Sequence, residues 1–280
     1  MKERDAGAVN LPAYFKRIGF EGTLRPNLAT LQCLHLAHAT TIPFENIDPL
    51  LGRPVRLDLA SVQAKLITAH RGGYCFEQNT LFAAVLEQLG FTVTRLAARV
   101  HVNTDRILPR THKLLRVETE GRSWICDVGF GSWGLLEPIE LKSDHEVRQG
   151  DWTLRLQQAG SSFVLQCPQC PVGTDLYSFT LEPQLAVDFE PANHYCSTHP
   201  QSRFVLTLTA QRAGLTERVL LRNREFIVSR ADGITTQLIA TEAELREILE
   251  VRFGIALPPE APSLLERIDR NQPAPNSSRQ

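Results

Sequence analysis

No apolar run in this 280-residue chain approaches membrane-span length, and the opening stretch MKERDAGAVNLPAYF holds no apolar segment of signal-peptide length. A surplus of one charge is missing too. The 30 Lys and Arg against 31 Asp and Glu leave a formal net charge of −1, with the signs interspersed. That balance argues against a nucleic-acid partner or an anionic membrane surface. The six cysteines (Cys33, Cys75, Cys126, Cys167, Cys170 and Cys196) are too sparse for a disulfide framework and read as scattered, unpaired thiols. No internal repeat period is evident. These absences predict a soluble protein of a reducing compartment, the cytoplasm, long enough for two or three compact units.

What is present changes character along the chain. The first ninety or so residues read as helical. Leu28, Leu31, Leu34 and Leu36 recur in a partly helical pattern that Pro43 stops. Leu59, Val62 and Leu66 mark a second helix, and Leu81, Phe82, Val85, Leu86 and Leu89 a third, closed by Gly90. The segments FTVTRLAARVHV, THKLLRVETE, SWICDVGF, WTLRLQQ and SFVLQC are short β-rich runs between turn residues. Sustained to about residue 205, they predict an antiparallel sheet closing towards a barrel. The last segment mixes strands (RFVLTLTAQ, RVLLRNREFIVSR) with the helix TEAELREILEVRFG, where Thr241 and Glu244 form a capping box. The tail NQPAPNSSRQ reads as disordered. The fold class is α+β: helices, then sheet, then a small mixed cap.

One thiol stands out. In RGGYCFEQN, Gly72 and Gly73 would let the backbone turn sharply and approach a ligand, and Cys75 falls in the first turn of a helix. There the free N–H groups and the macrodipole favour negative charge, and thiolates are the reactive form of cysteine. Arg71 would add positive potential. The plain alternative is a buried, inert thiol.

A nucleophilic thiol needs a base, and the base an orienting partner. Among the eight histidines, His35 and His38 read as packing or surface residues of a leucine-rich helix, and His70 as exposed. His112 differs. If Glu120–Gly121 is a two-residue hairpin loop, Leu114 pairs with Asp127, and His112 and Asp127 become diagonal neighbours on one face, about 7–8 Å apart at the backbone. A three-residue loop would flip that parity. Cys75, His112 and Asp127 are thus the candidate triad.

The stretches IPFENIDPLLGRPV, RGGYCFEQNTLFAAVLEQLGF, PRTHKLLRV and CDVGFG, in this order and spacing, resemble the arylamine N-acetyltransferase family in its bacterial form. YFKRIGF, LYSF and STHPQSRF extend the likeness over most of the chain. The resemblance implies a cysteine-protease-like Cys–His–Asp core within three domains: a helical bundle over residues 1–91, a β-barrel over 92–203 and an α/β lid over 204–280. It puts the nucleophile on Cys75, the base on His112 and the orienting carboxylate on Asp127. It also implies acetyl-CoA as co-substrate, an arylamine, hydrazine or N-hydroxyarylamine acceptor, no metal, and a monomer or homodimer. Arg71, Thr111, Gly129, Phe130 and Gly131 are the implied substrate-binding residues, Phe130 as an aromatic wall. Ile47 stands where many relatives carry Leu, and the carboxyl-terminal third matches loosely, so no coenzyme A contacts are assigned there.

Two rival readings share these residues. A transglutaminase-like or papain-like enzyme would keep the triad, but papain-type Cys-to-His separations run to about 130–150 residues. A zinc-supported binding module would use Cys167 and Cys170 with His194, Cys196 and His199, at a spacing longer than zinc fingers use.

Overall fold

A computed structural model of the chain describes residues 7–271 except 103, 105 and 172, so the predicted disordered tail lies, from residue 272, outside the described residues. The first part holds helices α1 (Leu11–Ile18), α2 (Leu28–Thr41), α3 (Ile47–Leu50), α4 (Leu59–Gln63) and α5 (Cys75–Gln88), with a two-residue strand β1 (Phe44–Glu45). Local chemistry sets the ends. The Asn10 and Asn27 side chains cap α1 and α2 by accepting from the Ala13 and Thr30 amides. Gly90, at φ 91°, follows α5. Leu31, Leu34, Leu81, Phe82, Val85 and Leu86 share one buried core, as their three- and four-residue spacing predicts.

Strands β2 (Thr92–Val100), β3 (His112–Thr119), β4 (Arg122–Cys126), β5 (Ile139–Glu140), β6 (His145–Gln149), β7 (Trp152–Ala159), β8 (Ser162–Gln166) and β9 (Asp175–Thr180) form one antiparallel sheet in the order β5-β4-β3-β2-β9-β8-β7-β6. Ile139 from one end of that order and Leu154 from the other share a buried cluster with Leu96, Leu114, Ile125 and Leu165, so the sheet curls into a nearly closed barrel. Strand β3 serves two cores. Leu114 points into the barrel, while Leu115 and Val117 pack outward with α5. The β3–β4 loop is Glu120–Gly121, with φ 51° and 72°, and the register runs from Thr119 opposite Arg122 to Leu115 opposite Cys126. The next pair in that register is Leu114 with Asp127, the parity read from the sequence.

Three readings need correction. Residues 186–206, expected as strand, form a 3₁₀ turn (Ala186–Phe189) and helices α6 (Glu190–Thr198) and α7 (Arg203–Leu206). Pro191 sits in the first turn of α6, where it costs no hydrogen bond, and α6 buries Asn193, Cys196 and Ser197 at helical spacing. RFVLTLTAQ therefore splits, and its strand begins only at Thr209. Cys167 and Cys170, read as unpaired thiols, are joined in a disulfide with Cα atoms 5.3 Å apart. A tight turn, in which the Cys170 amide donates to the Cys167 carbonyl, brings them together.

The last part pairs β10 (Thr209–Arg212), β11 (Arg218–Arg222), β12 (Glu225–Arg230) and β13 (Gly233–Leu238) in the order β1-β10-β11-β12-β13. The IPFEN segment thus supplies an edge strand to the cap. Helix α8 (Glu242–Phe253) starts at Thr241, whose hydroxyl accepts from the Glu244 amide at 3.2 Å, and α9 (Leu264–Asn271) follows. Together these make an α+β fold of helices, barrel and mixed cap.

Candidate active site

Helix α5 begins at Cys75, with Tyr74 as the capping residue. The Glu77 carboxylate accepts from the Tyr74 amide at 3.0 Å, and Lys65 binds the same carboxylate at 2.8 Å. This box fixes the thiol in the first helical turn. The two glycines before it serve the protein rather than a ligand. A Cβ on Gly72 would stand 2.1 Å from the Pro43 carbonyl oxygen, and one on Gly73 would stand 2.7 Å from the Glu77 carboxylate. Gly72 lets residues 43–45 lie against the loop, where the Gly73 amide donates to Pro43 and the Glu45 amide to Gly73, and Gly73 leaves room for the Glu77 side chain.

Across from α5, the end of β4 delivers Asp127 and the start of β3 delivers His112. Their side chains meet at 2.6 Å, His112 Nε2 to Asp127 Oδ2, and both are buried. The other carboxylate oxygen accepts from Asn79 Nδ2 at 3.0 Å and from the Gly129 amide at 2.9 Å. Gly129 is what allows the approach, because a Cβ there would lie 2.8 Å from Cys75 Cα. Cys75 Sγ donates to the Thr111 carbonyl oxygen at 3.6 Å, and the thiol is near enough to the His112 ring to act on its protonation.

Burial opposes charge on His112, but the Asp127 charge and hydrogen bond, with a smaller share from Cys75, outweigh it and push the ring up to about 10. Burial likewise works against ionised Asp127, yet His112, Asn79 and the Gly129 amide hold it below the usual carboxylate range. The pair can therefore keep a proton on the ring beside a thiol.

This site floors a cavity of about 410 Å³. Cys75, Thr111, His112, Gly129 and Phe130 all line it. Phe130 packs edge-on to His112, with centroids 5.2 Å apart. Arg71 is elsewhere. It binds Glu45 at 2.7 Å and Asp48 at 3.5 Å within an ion network that Lys65 shares. Gly131 lies behind the cavity wall at φ 99°, against the Gln211 side chain.

Sequence reading missed the groups behind the aspartate. Asn79 stands one turn after Cys75 on the same helix, and that four-residue spacing was the available signal. His35 and His38 are fully buried rather than surface residues. The Asp127 amide donates to His35 Nε2 at 3.0 Å, and His35 Nδ1 donates to the Leu136 carbonyl at 2.9 Å. Tyr14 donates to His38 Nδ1, whose Nε2 meets Gln78 Oε1 at 3.2 Å. Burial, above all, pushes these rings down to about 4 and about 3, so both are neutral. As for the zinc reading, among the described residues no three His, Cys, Asp or Glu side chains gather to hold a metal. Cys196 instead lines the main cavity, and its burial pushes its thiol up to about 12.

The N-acetyltransferase family model matches residues 27–261. An arylamine N-acetyltransferase of Mycolicibacterium smegmatis is 39% identical over 256 residues, covering 89% of this chain and 93% of its own. An arylamine N-acetyltransferase / N-hydroxyarylamine O-acetyltransferase of Salmonella typhimurium is 40% identical over 195 residues, covering 69% of each. The Mycobacterium marinum arylamine N-acetyltransferase solved in complex with CoA superposes with a TM-score of 0.87 at 33% identity, covering 93% of this chain and 99% of its own. On the match over residues 27–261 and on these relatives, the chain belongs to the arylamine N-acetyltransferase family.

Proposed function

We propose that this protein transfers an acetyl group from acetyl-CoA to arylamines, hydrazines or N-hydroxyarylamines through an acetyl-Cys75 intermediate. One observation carries the reading: a thiol at a helix start and a histidine beside it line an open cavity, and a buried carboxylate holds that histidine from behind at 2.6 Å.

In the first half-reaction His112 holds the proton taken from Cys75, and Asp127 stabilises the imidazolium. The Cys75 thiolate attacks the thioester carbonyl, the bond to coenzyme A breaks, and His112 returns the proton to the departing sulfur. The first N–H groups of α5, which precede the intrahelical bonds, face the developing oxyanion. In the second half-reaction the acceptor nitrogen, or the oxygen of an N-hydroxyarylamine, attacks acetyl-Cys75. His112 takes its proton, the carbon–sulfur bond breaks, and the thiol is restored. One thioester replaces another in the first step, so little driving force is needed. Phe130 is the wall against which an arene stacks. Among the described residues no helix is long and apolar enough to cross a membrane; we place the enzyme in the cytoplasm, as monomer or homodimer, without nucleic-acid or membrane partners.

Intact mass spectrometry after brief exposure to acetyl-CoA tests this. Wild type should gain one acetyl group and lose it on adding an arylamine, while Cys75→Ala should gain none. An unmodified wild type would sink the reading.

A further inference from the structure

The main cavity has an electrostatic bias that the triad does not explain. Among the described residues lining it no Asp or Glu occurs, and its charged groups other than His112 are Arg203 and Arg222. They arrive from separate segments, Arg203 from the first residue of α7 and Arg222 from the last residue of β11, and both are exposed. Neither forms an ion pair with a carboxylate among the described residues. The Arg203 guanidinium carbon lies 5.0 Å from the Phe204 ring centroid, a cation–π contact. Arg222 is near enough to oppose the charge of Arg203.

Four other arginines of the cap are paired with carboxylates. Arg224 binds Asp269, Arg246 binds Glu242, and Arg230 and Arg252 both bind Glu217. In a chain with nearly equal numbers of acids and bases, two mutually repelling guanidiniums in a cavity with no acid among its described lining residues form a site that an anion would relieve. Guanidinium forks match phosphate and carboxylate oxygens, and partial exclusion of water strengthens the contact.

We propose that Arg203 and Arg222 form an anion-recognition pair, which takes the anionic group of a substrate entering the cavity above Cys75. This rests on the acetyltransfer reading for the identity of the substrates. Two sources carry the required chemistry: the phosphates of coenzyme A, and a carboxylate on the arylamine acceptor.

Calorimetry separates the sources without turnover. Coenzyme A is compared with pantetheine, which lacks the phosphates, and 4-aminobenzoate with aniline, in wild type, R203Q, R222Q and the charge-preserving R203K and R222K. Loss of a charge-assisted contact should reduce the coenzyme A to pantetheine affinity ratio about tenfold in either Gln variant, with most of it retained in the Lys variants. A reduction only in the 4-aminobenzoate to aniline ratio would keep the pair and assign it to the acceptor. If both ratios stay within about twofold of wild type, or wild type prefers neither anion, the pair is not a recognition site. Should binding follow the proposal while Cys75 stays unacetylated, the acetyltransfer reading fails and the anion site stands.

Discussion

Two histidines from different parts of the fold meet Asp127, and they are opposite in charge state. His112, from the barrel, bonds the carboxylate at 2.6 Å and is pushed up to about 10. His35, from helix α2, receives the backbone amide of the same residue at 3.0 Å and is pushed down to about 4. Both are buried. Burial therefore does not decide the protonation state here; the partner does. A carboxylate repays the cost of the imidazolium, whereas an N–H donor on one nitrogen and a carbonyl on the other require the neutral ring. The site uses one histidine to hold a proton and another, unable to hold one, to fix the backbone that carries the acid.

The largest expected effect comes from erasing the asymmetry. Asp127→Asn leaves the shape and removes the charge, so His112 should fall towards the behaviour of His35. Formation of the acetyl-enzyme, followed by rapid-quench mass spectrometry, should slow by about 10³-fold or more. A loss below tenfold would mean that the carboxylate does not set the basicity of the ring.

A smaller effect tests the backbone side. His35→Leu strands the Asp127 amide and the Leu136 carbonyl, which should cost about 1–3 kcal/mol in urea unfolding. It should also lower the acetylation rate by loosening Asp127. His35→Gln can still accept from the amide and should recover much of that rate. Equal losses in both variants would reduce His35 to packing.

A further test is pH dependence, where the two rings should give slopes of opposite sign. His112 holds its proton more tightly folded than at its ordinary value near 6.5. Its contribution to stability is full below about 6.5 and lost as pH rises towards about 10. His35 binds its proton less tightly folded, so its contribution is full above about 6.5 and lost as pH falls towards about 4. Urea midpoints across pH should show the alkaline decline disappear in His112→Gln and the acid decline shrink in His35→Gln. If each variant kept the full wild-type profile, the assigned charge states would be wrong.

Much of this was legible in the chain. The Glu120–Gly121 turn fixed the hairpin register, and register parity alone put His112 and Asp127 on one face. The apolar spacing of α2 and α5 and the stop at Pro43 were equally local. Other features were not local. His35 read only as a packing or surface residue of a leucine-rich helix, because its partners, Asp127 and Leu136, lie 92 and 101 residues away. Arg71 looked like a positive neighbour of the thiol, but Glu45 and Asp48 draw it into a separate network.

The sequence by itself determined the succession of helices, sheet and cap, the helix start at Cys75 and the pairing of His112 with Asp127. Each of these follows from periodicity, capping or turn chemistry within a few residues. Only the tertiary structure decided that Gly72 makes room for residues 43–45, that residues 186–206 coil into helices beside the cavity, and that Arg203 and Arg222 converge there. Those outcomes depend on which distant surfaces come within van der Waals or hydrogen-bond range, and spacing along the chain does not encode that distance.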